Sequence, residues 1–260
     1  MDLVKQEDVM KVYAEMVKTG RKYHNCYFSV QELKDKWEKH KITVYKTETA
    51  LLIVEKGEQI NKLYYISVSW DWVCYIEEIK LKYQPLVISL VQTTEVIDKL
   101  PFLDNGYSVY KTYQRLRRIE SLSLGKEAVI ADYCTKRDRR SLREMMDNTF
   151  DTLSDHIPTE GEMDELIKNE NIICIRMDNT VIGSIIFEDK GKTSYIRMVC
   201  VDKRYRGKGF GNKLMDTYFQ LHNDYKSFTL WYDIENVAAY SLYRRWGYEK
   251  ESMYNLIFVL

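Results

Sequence analysis

Apolar residues in the second half of the chain recur in two periods, and the changes between them mark out elements. Leu142, Met145, Met146 and Phe150 fall at helical spacing, as do Met163, Leu166 and Ile167, and later Leu214, Met215, Tyr218, Leu221 and His222. Thr135 with Asp138 reads as a T-x-x-D cap before the first of these helices, and Thr159 with Glu162 as a capping box before the second. Strand-like runs occupy residues 127–133, 172–177, 181–187, 195–201, 228–232 and 252–260. Asp178-Asn179-Thr180 separates two of them as a hairpin turn, and Gly247 stops a helix over residues 236–246. The resulting order, β-α-α-β-β-β-α-β-α-β, lacks strict βαβ alternation. It predicts an α+β domain with a largely antiparallel sheet.

The first half gives a similar order in weaker signals. Helices are predicted over residues 9–16, after Ser29 (an S-x-x-E cap with Glu32), over 72–83 and over 95–100. Strands are predicted at 42–45, 50–55, 63–69 and 86–91, with a last one after Gly106-Tyr107. Two echoes suggest duplication of one fold. The hairpin from Ile42 to Glu55-Lys56-Gly57 parallels the one from Ile172 to Asp189-Lys190-Gly191, and Gly106-Tyr107 parallels Gly247-Tyr248. A short connection at Ser121-Leu122-Ser123-Leu124-Gly125 sets the expected boundary, giving domains 1–120 and 121–260.

Composition narrows the classes. Lys plus Arg and Asp plus Glu number 39 each, so nothing favours a general nucleic-acid or anionic-membrane partner. The N-terminus, MDLVKQEDVMK, is polar rather than signal-like, and no apolar run is long enough for a membrane span; a cytoplasmic protein is expected. The five cysteines, Cys26, Cys74, Cys134, Cys174 and Cys200, form no C-x-x-C pair or zinc-like cluster, so free thiols and no metal are expected.

The chemistry concentrates after the strand at 195–201. Arg206-Gly207-Lys208-Gly209-Phe210-Gly211 leads into a helix. Glycines permit a sharp turn and close approach of a ligand. The first helical turn presents unpartnered N–H groups and a favourable dipole to an anion. Lys203, Arg204, Arg206 and Lys208 add charge. A phosphate-loop nucleotide site would need G-K-[ST], and Gly211-Asn212-Lys213 stands there instead. A dinucleotide fold would need G-x-G-x-x-G within βαβ order, and neither is present. Kinase signature segments are absent as well.

Arg206, Gly209 and Gly211 match R-x-x-G-x-G, the coenzyme A loop of the GNAT superfamily of N-acetyltransferases. Downstream, Asn236-Val237-Ala238-Ala239-Tyr240-Ser241-Leu242-Tyr243-Arg244-Arg245-Trp246-Gly247-Tyr248 resembles that family's N-x-x-A-x-x-L-Y-x-x-x-G-[FY]. The resemblance covers about residues 126–260. It implies two GNAT-like domains, each a mixed, largely antiparallel sheet flanked by helices, of which the second would be catalytic. It implies acetyl-CoA as co-substrate and a small-molecule or peptide amine as acceptor. Val199, Cys200 and Val201 would pair with the pantetheine arm, and their backbone N–H groups would stabilise the oxyanion. Gly207, Lys208, Gly209, Phe210, Gly211 and Asn212 would hold the pyrophosphate beside Arg206. Asn236 would bond the cofactor arm, and Tyr243 would protonate the departing thiolate as general acid.

The acceptor side is less defined. Residues 195–199 carry no carboxylate, so base candidates are Glu188, Asp233, Glu235 or a water chain. Asp151, Asp155 and His156 fall in the helix–helix loop that lines acceptor sites in the family. In the first half, aligning Gly106 with Gly247 sets Glu95 against Asn236 and Phe102 against Tyr243, and Trp70-Asp71-Trp72 stands where the glycine loop would be. That half reads as a degenerate copy. Two other functions fit the same fold: a non-catalytic acyl-CoA sensor, and an aminoacyl transferase using charged transfer RNA, against which the intact glycine loop and neutral charge argue.

Overall fold

The computed structural model describes residues 1–19, 23–93, 101–119 and 131–260. The helix expected at 95–100, the connection at 121–125 and residues 127–130 of an expected strand lie outside them. The chain forms two compact units, Met1–Thr112 with Met253–Leu260, and Tyr113–Ser252.

Unit 1 contains β1 (Asp2–Leu3), α1 (Val9–Thr19), β2 (Tyr23–His24), α2 (Val30–Glu38), β3 (Ile42–Lys46), β4 (Ala50–Glu55) and β5 (Asn61–Ser67). A 3-10 turn at Asp71–Tyr75 leads into α3 (Ile76–Lys82), followed by β6 (Leu86–Gln92) and α4 (Pro101–Asp104). The sheet runs β1-β3-β4-β5-β6 and is completed by the end of β13 (Glu249–Val259), whose Tyr254↔Gln92 to Val259↔Val87 register is antiparallel. Among its described strands only β5 and β6 are parallel. β4 is apolar from Ala50 to Val54 because both faces are covered. Leu51 and Ile53 join Val9, Tyr13 and Leu33 of α1 and α2 on one side. Leu52 and Val54 join Trp72, Ile76, Phe102 and Phe258 on the other. Ser29 caps α2 as expected: its hydroxyl accepts from Glu32 N (3.1 Å), and its N–H donates to the Glu32 carboxylate (2.7 Å). Such a cap contributes about 1 kcal/mol.

Unit 2 contains β7 (Val109–Ile119) from Tyr113 onward, β8 (Asp132–Tyr133), α5 (Arg139–Asp147), α6 (Glu160–Lys168), β9 (Ile172–Met177), β10 (Thr180–Lys190) and β11 (Thr193–Val201). After these come α7 (Phe210–Leu221), β12 (Ser227–Asp233) and α8 (Val237–Arg245). Its sheet runs β8-β9-β10-β11-β12-β7, again with a single parallel pair among the described strands, β11 with β12. The two units therefore share one strand succession, as the repeat in the sequence suggested. Asp178 and Asn179 take positive φ (50° and 61°) in the β9–β10 turn, the conformation a two-residue hairpin favours. The second capping box is present at Thr159 and Glu162.

Four expectations differ from the structure. The division does not fall after residue 120: the compact units divide within β7 and within β13. Tyr113–Ile119 pairs antiparallel with β12, whereas Met253–Leu260 buries Leu256, Phe258 and Leu260 in the core of unit 1. Period-2 patterning locates a strand but not its partner, so it leaves open which unit the closing strand joins. The helix expected at 72–83 begins as a 3-10 turn, and α5 ends before Phe150. At Thr135 the cap is one-sided, with Asp138 Oδ2 accepting from Thr135 N (2.7 Å) and Oγ1 (2.8 Å).

Candidate coenzyme A cleft

β11 and β12 pair in parallel from Thr193↔Ser227 to Ile196↔Leu230, and there the register ends. β11 continues to Val201 and β12 to Asp233. On its other edge β11 stays paired with β10 as far as Val201↔Gly183. Residues 197–201 therefore carry one strand edge outside any ladder of the unit. The cause is local. Ile186 faces Met198 but Phe187 faces Ile196, which leaves Arg197 as an extra, bulged residue. A bulge bends and over-twists its strand, and it sits where the two strands part. Val199 and Val201 pack toward the α7 core, while Met198 and Cys200 are buried beside α5 and α6. Burial pushes the Cys200 thiol up to about 11, with the Thr149 hydroxyl bond opposing the shift.

The glycine loop begins where that edge ends. Asp202 caps a 3-10 turn at Lys203–Tyr205 by accepting from Arg204 N (2.9 Å). The Arg204 guanidinium also binds Asp202 (2.7 and 3.1 Å), and these bonds hold its carboxyl at about 2. Arg206 Nε donates to Val201 O (2.9 Å), bracing the loop against the strand end. Gly209, at φ 84°, turns the chain into α7. The first bond into the helix is Lys213 N to Gly209 O (3.1 Å). The N–H groups of Phe210, Gly211 and Asn212 thus precede the helical ladder and face outward, aligned with the helix dipole. Arg204 and Arg206 are committed to the loop's own structure. Lys203 and Lys208 are exposed, with Lys208 over the Tyr205 ring at 5.3 Å.

α8 is seated on the first turn of α7. A side chain at Gly211 would place its Cβ 3.3 Å from Leu242 Cδ2, so a glycine allows this approach. Asn212 Oδ1 accepts from Trp246 Nε1 (3.2 Å), fixing the far end of α8. Asn236 caps α8, its Oδ1 accepting from Ala239 N (3.0 Å), which leaves its exposed amide NH2 as the donor toward a ligand. Ala239, Leu242 and Tyr243 face the same core, as their spacing implied. Tyr243 is 7% exposed, edge-on to Tyr248 at 5.9 Å. Burial, and secondarily the phenol of Tyr195, hold its hydroxyl protonated well above the usual phenol range.

The base candidates are mostly engaged. Glu188 is ion-paired with Arg197 (2.9 Å). Asp233 Oδ1 accepts from Glu235 N (3.0 Å) and shapes the turn into α8. Asp155 accepts from Tyr113 Oη (2.7 Å) and from Asp151 N (2.9 Å), and Asp151 accepts from Ser154 Oγ (2.7 Å). These carboxylates order the α5–α6 loop and tie it to β7. Tyr113, Tyr195 and the bulged Arg197 carry no motif in the sequence; only the register identifies them. Among the described residues one group of possible metal donors lies together, Cys134, Asp138 and Cys174. Both Asp138 oxygens are already held by Arg176 (2.7 Å each), so the group reads as a buried ion-pair anchor between the start of α5 and β9.

Residues 168–250 match the family model described as the acetyltransferase (GNAT) domain. The chain thus carries a GNAT acetyltransferase domain in its C-terminal half, containing the open strand edge, the glycine loop and Tyr243. No curated protein matches the sequence. Solved structures resemble the chain over most of its length. A GCN5-related N-acetyltransferase from Sphaerobacter thermophilus aligns at TM-score 0.60 and 14% identity, covering 88% of this chain and 84% of that one. One from Kribbella flavida aligns at 0.54 and 13%, covering 87% and 92%. A tandem GNAT protein from the clavulanic acid biosynthesis pathway aligns at 0.57 and 8%, covering 99% and 97%. At such identities the likeness speaks to fold alone: two GNAT-like halves with mixed sheets. No helix among the described residues is long and apolar enough to cross a membrane.

Proposed function

We propose that unit 2 is an acetyl-CoA-dependent N-acetyltransferase acting on a primary amine. The observation that carries this reading is the end of β11–β12 pairing at Ile196↔Leu230, which leaves the last residues of β11 open on the approach to the glycine loop. An open strand edge suits an arm built from amides, and the loop and the α7 N-terminus suit the pyrophosphate beyond it. Acetyl-CoA supplies the acetyl group as a thioester. Val199 and Val201 offer backbone N–H groups to the pantetheine arm and to the oxyanion formed when the amine attacks, whereas Cys200 between them turns its N–H toward Ser184 of β10. Gly207 to Asn212 hold the pyrophosphate, Lys208 adds charge, and Asn236 donates its amide to the arm. The new C–N bond forms as the C–S bond breaks. Tyr243, kept neutral by burial, gives its proton to the departing thiolate. With Glu188, Asp151 and Asp155 committed to the fold, we assign the proton lost by the ammonium to water at the cleft mouth.

That commitment also favours a second reading, an acyl-CoA sensor that transfers nothing. Incubation with acetyl-labelled acetyl-CoA and a panel of primary amines separates the two. Labelled amide together with free thiol supports transfer, whereas tight binding without product for any amine supports sensing.

A further inference from the structure

Unit 1 repeats the strand separation of unit 2, but there the gap is filled. β5 and β6 pair in parallel only at Asn61↔Leu86 and Lys62↔Val87. Beyond that point residues 23–25 lie along β5. β2 pairs antiparallel with it, Tyr23↔Ser67 and His24↔Ile66. Asn25 then spans the gap. Its N–H donates to Tyr65 O (3.2 Å) and its Oδ1 accepts from Tyr65 N (2.7 Å). Its Nδ2 donates to Leu63 O on β5 (3.0 Å) and to Ser89 O on β6 (3.1 Å). The side chain is buried, and one amide satisfies a donor and an acceptor on β5 and an acceptor on β6, as a bound amide ligand would.

The segment after β5 serves the same occupant. Where unit 2 has its glycine loop, unit 1 has Ser69-Trp70-Asp71-Trp72. The Trp70 ring lies 4.6 Å from that of Tyr23 and 5.5 Å from that of Tyr65. Asp71 accepts from the Ser69 hydroxyl (2.7 Å), so a carboxylate stands where an anion would need donors.

We infer that residues 23–25 are a resident intramolecular ligand of unit 1. They take the strand edge that a pantetheine arm would require, so unit 1 is closed to acyl-CoA and the chain holds a single acyl-CoA site. The comparison rests on the reading of the unit 2 cleft given above; the hydrogen bonds of Asn25 do not. Amide-resolved hydrogen exchange on the full chain, with and without coenzyme A, tests it. The Tyr65 amide exchanges at least about 100-fold slower than an exposed amide in both samples, while amides in 197–201 gain protection when coenzyme A is added. Asn25→Ala speeds exchange at Tyr65 by about 10-fold or more. A fast-exchanging Tyr65 amide in the unsubstituted protein overturns the inference whether or not the variant folds. So does protection at Tyr65 that depends on coenzyme A, or calorimetric binding of two coenzyme A molecules per chain. Slow exchange at Tyr65 with no response at 197–201 upholds the resident ligand and removes the cofactor reading of unit 2.

Discussion

Gly209→Ala isolates what the glycine loop does. Gly209 sits at φ 84° and ψ −2°, and a Cβ there meets nothing within 4 Å, so the substitution adds conformational cost without collision. If the backbone holds, that cost is about 1–2 kcal/mol. For a unit of this size it lowers Tm by roughly 2–6 °C. If the backbone instead relaxes to negative φ, the N–H groups of Phe210 and Gly211 are re-aimed. One charge-assisted hydrogen bond to a phosphate oxygen is then lost, at about 1.5–3 kcal/mol, weakening coenzyme A roughly 10- to 150-fold. Gly191→Ala is the matched control. It has φ 62°, an equally open Cβ direction and a place in the β10–β11 turn away from the loop. Thermal melts with coenzyme A titrations by calorimetry should show both variants less stable and only Gly209→Ala impaired in binding. Wild-type coenzyme A affinity in a Gly209→Ala protein destabilised to the same degree as the control would refute the pyrophosphate assignment.

Other expectations follow from the same geometry. Tyr243→Phe should lower kcat about 100-fold while leaving acetyl-CoA affinity unchanged, and an unaltered kcat would remove Tyr243 as the acid. Burial raises the Tyr243 pKa, so the wild-type rate should show no fall from loss of its proton below pH 10; such a fall near neutral pH would contradict the assignment. With water accepting the ammonium proton, the pH at which kcat/KM levels off should follow the pKa of each amine tested. A fixed limb shared by all amines would point to an enzymic base. Asp138, held at about 2 by Arg176 and Thr135, should stabilise unit 2 fully above pH 4 and lose that contribution as pH falls from about 4 toward 2. Asp138→Asn should therefore cost about 2 kcal/mol in urea unfolding at neutral pH, with a smaller deficit at pH 3. Equal deficits at both pH values would exclude the titration as the cause.

Motifs made the glycine loop legible, because its conformational demands are local. Gly209 must adopt positive φ, Gly211 must admit Leu242, and Asn236 must cap α8, and each demand falls on one residue type at a fixed spacing. Helices with capping boxes and the β9–β10 hairpin were legible for the same reason. What the sequence hid was pairing over long separations. Period-2 alternation in 252–260 reveals a strand but not that its end buries Phe258 beside Phe102 and Trp72. The bulge at Arg197 is invisible to alternation, although it accompanies the opening of the cleft. Asn25 carries no motif either. Its significance depends on Leu63, Tyr65 and Ser89, which lie 38 to 64 residues away in the chain. Aligned on Gly106 and Gly247, the first half lacks the residues of the second, but the residue that fills its gap carries no mark of that place in the chain.

A structure of the full chain with acetyl-CoA tests the central claim most directly. The expected result is one molecule per chain, with its pyrophosphate on the amides of Gly207 to Asn212. The arm should run along Val199, Cys200 and Val201, with the thioester sulfur within hydrogen-bonding reach of Tyr243 Oη. A molecule bound elsewhere, or one in this cleft with its sulfur turned away from Tyr243, would contradict it.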